Sequence, residues 1–259
     1  SLAALIVFFI AVPFAFLVII AAVIASIGER DKSEVSNGGV LVLDLSDGVS
    51  ETSPASNFKI RGKFFKTPPE STFDICAKIR AAAADLSVNA LLIKGSAADS
   101  PSGMSLAQAS EIRAAIEKFS EKGKVAYAYL ENPCFADYYL ASAAGAVIMN
   151  PFGSMEYKGL ALQSVFLGGA MKKYGIGVAL VKSGEFKSAG EMFTSDKMPE
   201  SQKAHLSKVL QSLWSGCQSQ ISASRGIPEA ALSKIAREKA VFSAYDAKKF
   251  GFVDELMYA

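Results

Sequence analysis

The chain has 259 residues, 51% of them hydrophobic, with 27 basic against 25 acidic side chains and a net charge near +2. That near-balance excludes the basic footprint of a nucleic-acid-binding protein. Three widely spaced cysteines, Cys76, Cys134 and Cys217, and one histidine, His205, form neither a disulfide framework nor a zinc-ligand pattern, so no metal or other cofactor is expected.

The N-terminus carries no charge from Leu2 to Ile27, "LAALIVFFIAVPFAFLVIIAAVIASI". A membrane-spanning helix needs about 20 apolar residues, whereas the apolar core of a cleaved signal peptide runs to only about 7–15. The run predicts a retained single-pass transmembrane anchor over 2–27, and Pro13 can be accommodated in such a helix. A polar linker over 28–39 follows, and 40–259 forms one globular domain. The basic, aromatic stretch "FKIRGKFFKTPP" from Phe58 to Pro69 reads as a solvated loop pinned by a few apolar side chains.

Apolar runs and helical spacing then alternate. "VLVLDL" (Val40–Leu45) reads as a buried strand. "STFDICAKIRAAAAD" reads as a helix with Phe73, Cys76, Ile79 and Ala83 on one face, and "NALLIK" as the next strand. "SLAQASEIRAAIEKF" opens with Ser105 and Gln108 as a capping box and aligns Leu106, Ala109, Ile112, Ile116 and Phe119. "KVAYAYL" is predicted as a strand, "CFADYYLASAAG" as a helix ended by Gly145, and "AVIMN" as a strand stopped at Pro151. "SVFLGGAMKKYG" reads as a helix and "GVALVKS" as a buried strand. A long helix from near Pro199 is expected to bury Leu206, Leu210, Leu213, Cys217 and Ile221. The tail "SAYDAKKFGFVDEL" gives a short helix, a glycine turn and a last strand. Such alternation predicts an α/β fold with a mostly parallel sheet.

Few residues offer chemistry. His205 lies beside the apolar stripe of its helix, and no G-x-S-x-G element accompanies it, so a Ser-His-Asp triad is not supported. "GIG" at Gly175–Gly177 falls between helix and strand, the wrong order for a phosphate loop. "DSPSGMSL" (Asp99–Leu106) leads into a helix N-terminus, where backbone N–H groups could hold an anion. The remaining candidate is Lys187 in "VKSGEFKSAGEMFTSDKMPE". A lysine serves as general base only if its pKa drops from about 10.4 towards 7–8, and desolvation is the usual means. Phe186, Ala189, Gly190, Met192 and Phe193 supply apolar and small neighbours, while Glu185 and Glu191 would oppose the shift if they faced the amine. On these residues alone Lys187 reads as an ordinary structural or solvated loop lysine.

The stretch from "YLENPCFADYYLAS" through "GEFKSAGEMF" to "MPE" resembles the signal peptide peptidase A family, the membrane-anchored S49-type serine peptidases, and the likeness runs from about Val40 to Tyr258. The resemblance implies a ClpP/crotonase-like spiral fold and a Ser/Lys dyad, in which a neutral lysine takes the proton of an attacking serine. The G-x-[YF]-K-[SD] element places that lysine at Lys187. Two elements depart from the pattern of short, single-domain members. Their A-S-G-G-Y-Y element reads Cys134-Phe135-Ala136-Asp137-Tyr138-Tyr139 here, with Phe135 in the serine's place, and Ser102 interrupts their S-P-G-G loop.

Long members of the family divide the dyad between two homologous halves, lysine in the first and serine in the second. The chain resembles the lysine-bearing half, cut near the junction after "GFVDELMYA". The expectation is a serine endopeptidase of a bacterial-type inner membrane that digests cleaved signal peptides or other hydrophobic peptides. Its partners would be peptide substrate, membrane lipid and further copies in a homo-oligomeric ring, and this chain alone would be inactive. The competing readings are a pseudopeptidase used as a membrane scaffold and, less well matched, a crotonase-type acyl-CoA enzyme. Cys134 precedes the serine position by one residue, with no histidine beside it to activate it. Ser142, Ser154 and Ser188 read as hydrogen-bonding groups, Ser188 being placed to orient Lys187.

Overall fold

A computed structural model of the protein describes residues 38–52, 69–99, 103–181, 183–184, 187–188 and 190–258. The predicted anchor at 2–27, the linker up to residue 37, and all of the basic stretch except Pro69 lie outside the described residues. So do residues 100–102 of the loop before the capping box. Among the described residues no helix is long and apolar enough to cross a membrane.

The described residues fall within one unit, Asn37–Ala259. In chain order its first elements are β1 (Gly39–Asp44), β2 (Val49–Ser50), β3 (Glu70–Ser71), α1 (Thr72–Ala84), β4 (Val88–Lys94) and α2 (Leu106–Glu121). Then come β5 (Val125–Leu130), α3 (Phe135–Ala141), β6 (Ala146–Met149), β7 (Ser154–Glu156), α4 (Gly168–Lys173) and α5 (Glu191–Thr194). The chain continues through α6 (Glu200–Arg225), α7 (Glu229–Glu238), β8 (Val241–Ser243), α8 (Ala244–Lys249) and β9 (Glu255–Leu256).

Five strands form one sheet in the order β1-β4-β5-β6-β9, parallel throughout, as the alternating pattern predicts. β2 pairs with β3 in parallel, and β7 with β8 antiparallel. Parallel neighbours need crossover connections, and α1, α2 and α3 provide three of them. Ser105 caps α2 as expected: its hydroxyl accepts from the Gln108 N–H at 3.3 Å, while the Gln108 side chain accepts from the Ser105 N–H at 2.8 Å. Its stripe of Ala109, Ile112, Ile116 and Phe119 is fully buried. On α1 the buried set is Ile75, Cys76, Ile79 and Ala82, whereas Phe73 is 70% exposed. The aromatic at the first turn therefore falls outside the stripe that the spacing assigned to it.

The strands are covered on one face only. Leu43, Leu91, Ile93, Ala126, Ala128, Leu130, Val147 and Met149 are buried. The side chains that alternate with them, Val40, Val42, Val125 and Tyr127, are 40–53% exposed. The register sets Val42, Leu92 and Tyr127 side by side across three strands. Sheets of this kind are ordinarily covered on both faces, and among the described residues nothing covers this one.

Two polar clusters hold the last third of the chain on this core. Arg113, on the buried side of α2, donates through Nη1 to Tyr139 O at 2.6 Å and to Ser142 Oγ at 2.7 Å. Its Nη2 donates to Gln220 O at 3.2 Å and to the Ser224 hydroxyl. One guanidinium thus ties α2 to α3 and α6. The second cluster centres on Asp254, whose carboxylate accepts from the Val147 N–H at 2.7 Å and from Arg225 at 2.8 and 3.0 Å. Burial alone would raise the Asp254 pKa, but the hydrogen bond from Arg225, the Val147 N–H and the Arg225 charge outweigh it and hold the carboxyl below its ordinary value.

A depressed carboxyl stabilises the fold above the unfolded value of about 3.9 and loses that contribution as pH falls through the folded value. Asp254→Asn is therefore expected to lower the urea midpoint at pH 7 and to leave it close to wild type near pH 2. Urea titrations of both chains across that range check this.

Candidate active site

Between β7 and α6 the chain leaves the core and forms an arm. The arm is bonded chiefly to itself. The Leu167 N–H donates to Met192 O at 2.6 Å and the Gly168 N–H to Ser195 O at 3.1 Å, which joins the start of α4 to α5. Lys172 pairs with Asp196 at 3.2 Å across the same seam. Gly168 is required for this approach, because a Cβ there would lie 2.5–2.9 Å from the Ser195 backbone. From the far end of α4 the chain runs out through Ile176, Val178, Leu180 and Val181, all exposed, Val181 to 97%.

The predicted strand at "GVALVKS" is therefore not formed: Gly177–Val181 and Ser183 belong to no strand. A parallel strand is stable only when paired and covered, and among the described residues this apolar run has no strand partner, although Leu180 rests against Gly190. The predicted helix "SVFLGGAMKKYG" shortens to Gly168–Lys173, its first four residues lying in no helix and being half-buried or exposed.

Lys187 lies at the tip of the arm, and its side chain is exposed. Its backbone N–H reaches Gly184 O at 3.4 Å, and the Glu191 N–H donates to Ser188 O at 3.0 Å, so the turn closes onto α5. Of the expected apolar neighbours, Met192 and Phe193 are more than a third exposed and Gly190 is half-buried. Lys182, Glu185, Phe186 and Ala189 lie outside the described residues. Glu191 is buried and Ser188 is half-buried.

The element that would carry a serine has a different construction. Phe135, at the first position of α3, is buried with 8% exposure. Its ring lies 4.8 Å from that of Trp214, 5.6 Å from that of Tyr157 and 6.4 Å from that of Tyr139. Two residues on, Asp137 is fully buried and accepts from three donors: Ser96 Oγ at 2.6 Å, the Ala97 N–H at 3.0 Å and the Cys134 N–H at 3.1 Å. The carboxylate thus stitches the loop after β4 to the start of α3. Among the described residues of these two segments, the Ala97 and Cys134 N–H groups are taken up by this carboxylate.

Cys134 supplies no substitute nucleophile. Burial first, and then the Asp137 charge, push its thiol up to about 11, and a thiol rather than a thiolate is a poor nucleophile. Ser142 is buried, accepting from Arg113 and donating to Tyr139 O at 2.9 Å. Ser154 is exposed and bonded to Asn132. His205 is exposed on α6.

Beside this element, at the C-terminal ends of β1, β4 and β5, a cavity of about 280 Å³ is lined by Asp44, Ser46, Lys94, Tyr129, Glu131 and Asn132. Ligands of open parallel sheets bind at such strand ends. This cavity is polar, crossed by an Asp44–Lys94 pair at 3.1 Å. Burial opposes the charge on Asp44, but the Ser46 hydroxyl and N–H and the Lys94 amine hold its pKa below the ordinary value. Among the described residues no group of three or more His, Cys, Asp or Glu could hold a metal ion.

Among the described residues, then, no hydrogen bond or ion pair joins the Lys187 amine to the Cys134–Tyr139 element. Asp137 and Trp214, which the sequence reading passed over, organise that element. A capping spacing, Cys134-x-x-Asp137, was the one signal available for the former.

Comparison with known proteins bears on this arrangement. The model of Peptidase family S49 matches residues 118–259. Protease 4 of Salmonella typhi is 28% identical over 226 residues, covering 83% of this chain and 35% of that protein. Protease 4 of Haemophilus influenzae is 26% identical over 219 residues, covering 82% and 35% respectively. The chloroplastic serine protease SPPA of Arabidopsis thaliana is 26% identical over 148 residues, 57% of this chain and 22% of that protein. The chain spans about a third of the length of the two Protease 4 relatives.

Proposed function

The chain belongs to peptidase family S49, and on that premise we propose that it is the lysine-bearing half of a membrane-held serine endopeptidase. Its substrates are cleaved signal peptides and other hydrophobic peptides. Lys187 is the general base, and the serine and its oxyanion donors come from a second, homologous half. One observation carries this reading: Lys187 is borne on an arm whose apolar side chains Ile176, Val178 and Val181 stand 42–97% exposed. Exposed apolar surface of that extent marks a site of association. A covering half also does chemical work, because removing water from around an amine favours its neutral, proton-accepting form.

The relatives' length leaves room for such a half, the chain accounting for 35% of each Protease 4. The parallel sheet with helices on one face and two small accessory sheets suits a ClpP/crotonase-like fold, whose members assemble into rings. The uncharged run from Leu2 to Ile27, outside the described residues, would hold the site at a bilayer where hydrophobic peptides emerge.

Phe135 favours a second reading, a scaffold without chemistry, since the serine position holds a buried aromatic ring. A serine-directed fluorophosphonate and a fluorogenic hydrophobic peptide separate the two. The native protein extracted from membranes is expected to be labelled on a serine outside this chain and to cleave, and the isolated 259-residue chain to do neither. Labelling of the isolated chain would remove the split site. A native protein that neither labels nor cleaves would leave the scaffold.

A further inference from the structure

The position that carries the nucleophile in serine-bearing members has a mechanical use in this chain. A 26-residue helix extends about 39 Å at 1.5 Å per residue, and it is the C-terminal part of α6 that packs on the hydrophobic core, Leu206 and Leu210 being half-buried outside it. Gln218 and Ile221 are buried, Arg113 bonds to Gln220 O, and the Ser233 hydroxyl donates to Gln218 at 3.1 Å. Towards the N-terminus Val209 and Leu213 are 43% and 50% exposed. Trp214 stands at the boundary. It is the first apolar residue of α6, coming from the arm, that packs against the core, and its ring closes a three-ring cluster with Phe135 at 4.8 Å and Tyr157 at 5.3 Å, these two being 5.6 Å apart.

We propose that Phe135 is the positioning residue for the Lys187 arm: its ring clamps Trp214 and so fixes the direction in which α6 leaves the core. The inference rests on the reading of Lys187 as the base. A serine at 135 would not reach Trp214 and would leave an apolar gap, which packed interiors do not fill without movement. Nor would it restore a nucleophile with its partners, since Asp137 already occupies the Ser96 hydroxyl and the Ala97 and Cys134 N–H groups. The exchange of serine for phenylalanine thus turns a reactive position into a hinge stop. Tyr157, fully buried and in ring contact with both Phe135 and Trp214, backs the Phe135 ring in this cluster.

The chain contains one tryptophan, so its fluorescence reads the clamp directly. In the 259-residue chain, Phe135→Ala is expected to shift Trp214 emission to the red and to increase its quenching by acrylamide. Phe135→Leu, which keeps most of the apolar bulk, should move both far less and serves as the variant that folds if alanine does not. In the native protein a base displaced by about 1 Å loses on the order of 100-fold in rate. Phe135→Ala is therefore expected to lower kcat by that factor with KM nearly unchanged, and Phe135→Leu to recover most of it. Unchanged emission and quenching in a folded alanine variant would overturn the clamp. A loosened Trp214 with wild-type kcat would overturn its positioning role. Failure of the functional reading is separately visible, because it would appear as full activity in a Lys187→Ala protein with the Trp214 signal intact.

Discussion

Lys187→Ala, introduced into the native protein, is expected to lower kcat for cleavage of a hydrophobic peptide by about four orders of magnitude, the upper range for loss of a positioned general base. The size of the effect follows from the chemistry. A serine hydroxyl is a weak nucleophile until a neighbouring base takes its proton, and this chain's one histidine, His205, is exposed on α6. Lys187→Arg is expected to be equally inactive. A guanidinium keeps a positive charge at the site but cannot give up its proton at working pH. The arginine variant therefore separates a base from a mere cation: substantial activity in Lys187→Arg would mean that charge alone matters. Steady-state kinetics on the two variants, with fluorophosphonate labelling to count assembled sites, gives the answer.

Arg113→Met carries the second large effect, on stability. Methionine retains much of the stem but none of the donors. The carbonyls of Tyr139 and Gln220 lose their 2.6 and 3.2 Å bonds, and the hydroxyls of Ser142 and Ser224 lose theirs. Tyr139 O keeps the Ser142 hydroxyl at 2.9 Å and Gln220 O the Ser224 hydroxyl at 3.0 Å. What is lost is therefore the set of bonds to a charged donor, each worth about 1.5–3 kcal/mol, and a loss of about 3 kcal/mol is expected. Burial opposes the charge and lowers the guanidinium pKa, while Glu117 acts in the other direction. That carboxylate, whose Oε1 lies 3.1 Å from Arg113 Nε, has a side chain 48% exposed, so the pair itself contributes little. Arg113→Lys should recover only part of the loss, since an ammonium cannot fork between α3 and α6 as a planar guanidinium does. Urea denaturation of the chain measures both, and a loss below about 1 kcal/mol for methionine would show that water replaces the donors.

Sequence and structure agree best where local pattern and burial coincide. The strands at Val40–Asp44, Asn89–Lys94, Val125–Leu130 and Ala146–Met149 are apolar runs that end inside a sheet, and the Ser105–Gln108 box begins its helix as the spacing requires. The failures share one cause. "GVALVKS" and the α6 stripe are as apolar as any core segment, yet Val181 and Leu213 stand exposed, while Leu206 and Leu210 are half-buried and Ile221 is buried as expected. Periodicity registers that a segment has something to bury but not against what. The β7–β8 ladder was illegible for another reason, being three pairs long with partners such as Met155 and Phe242 far apart in sequence. Lys187 rose above an ordinary loop lysine through resemblance alone; its spacing is that of any loop lysine. Trp214 and Asp137 could not be read because their roles depend on Phe135 and Ser96, which the fold supplies from other elements.

The half-covered sheet has a bearing on which substitutions selection will permit. Along β5, Ala126, Ala128 and Leu130 face packed helices, and replacements there are refused whatever the cell contains. Val125 and Tyr127 face outward, so their freedom to vary is set by the company the chain keeps. In a library of variants, polar residues accepted at every second position would be the imprint of a wet face. A strand refusing them throughout would record that living cells keep this face against another surface. One strand of six residues thereby holds a ledger of the protein's surroundings, written in which amino acids survive.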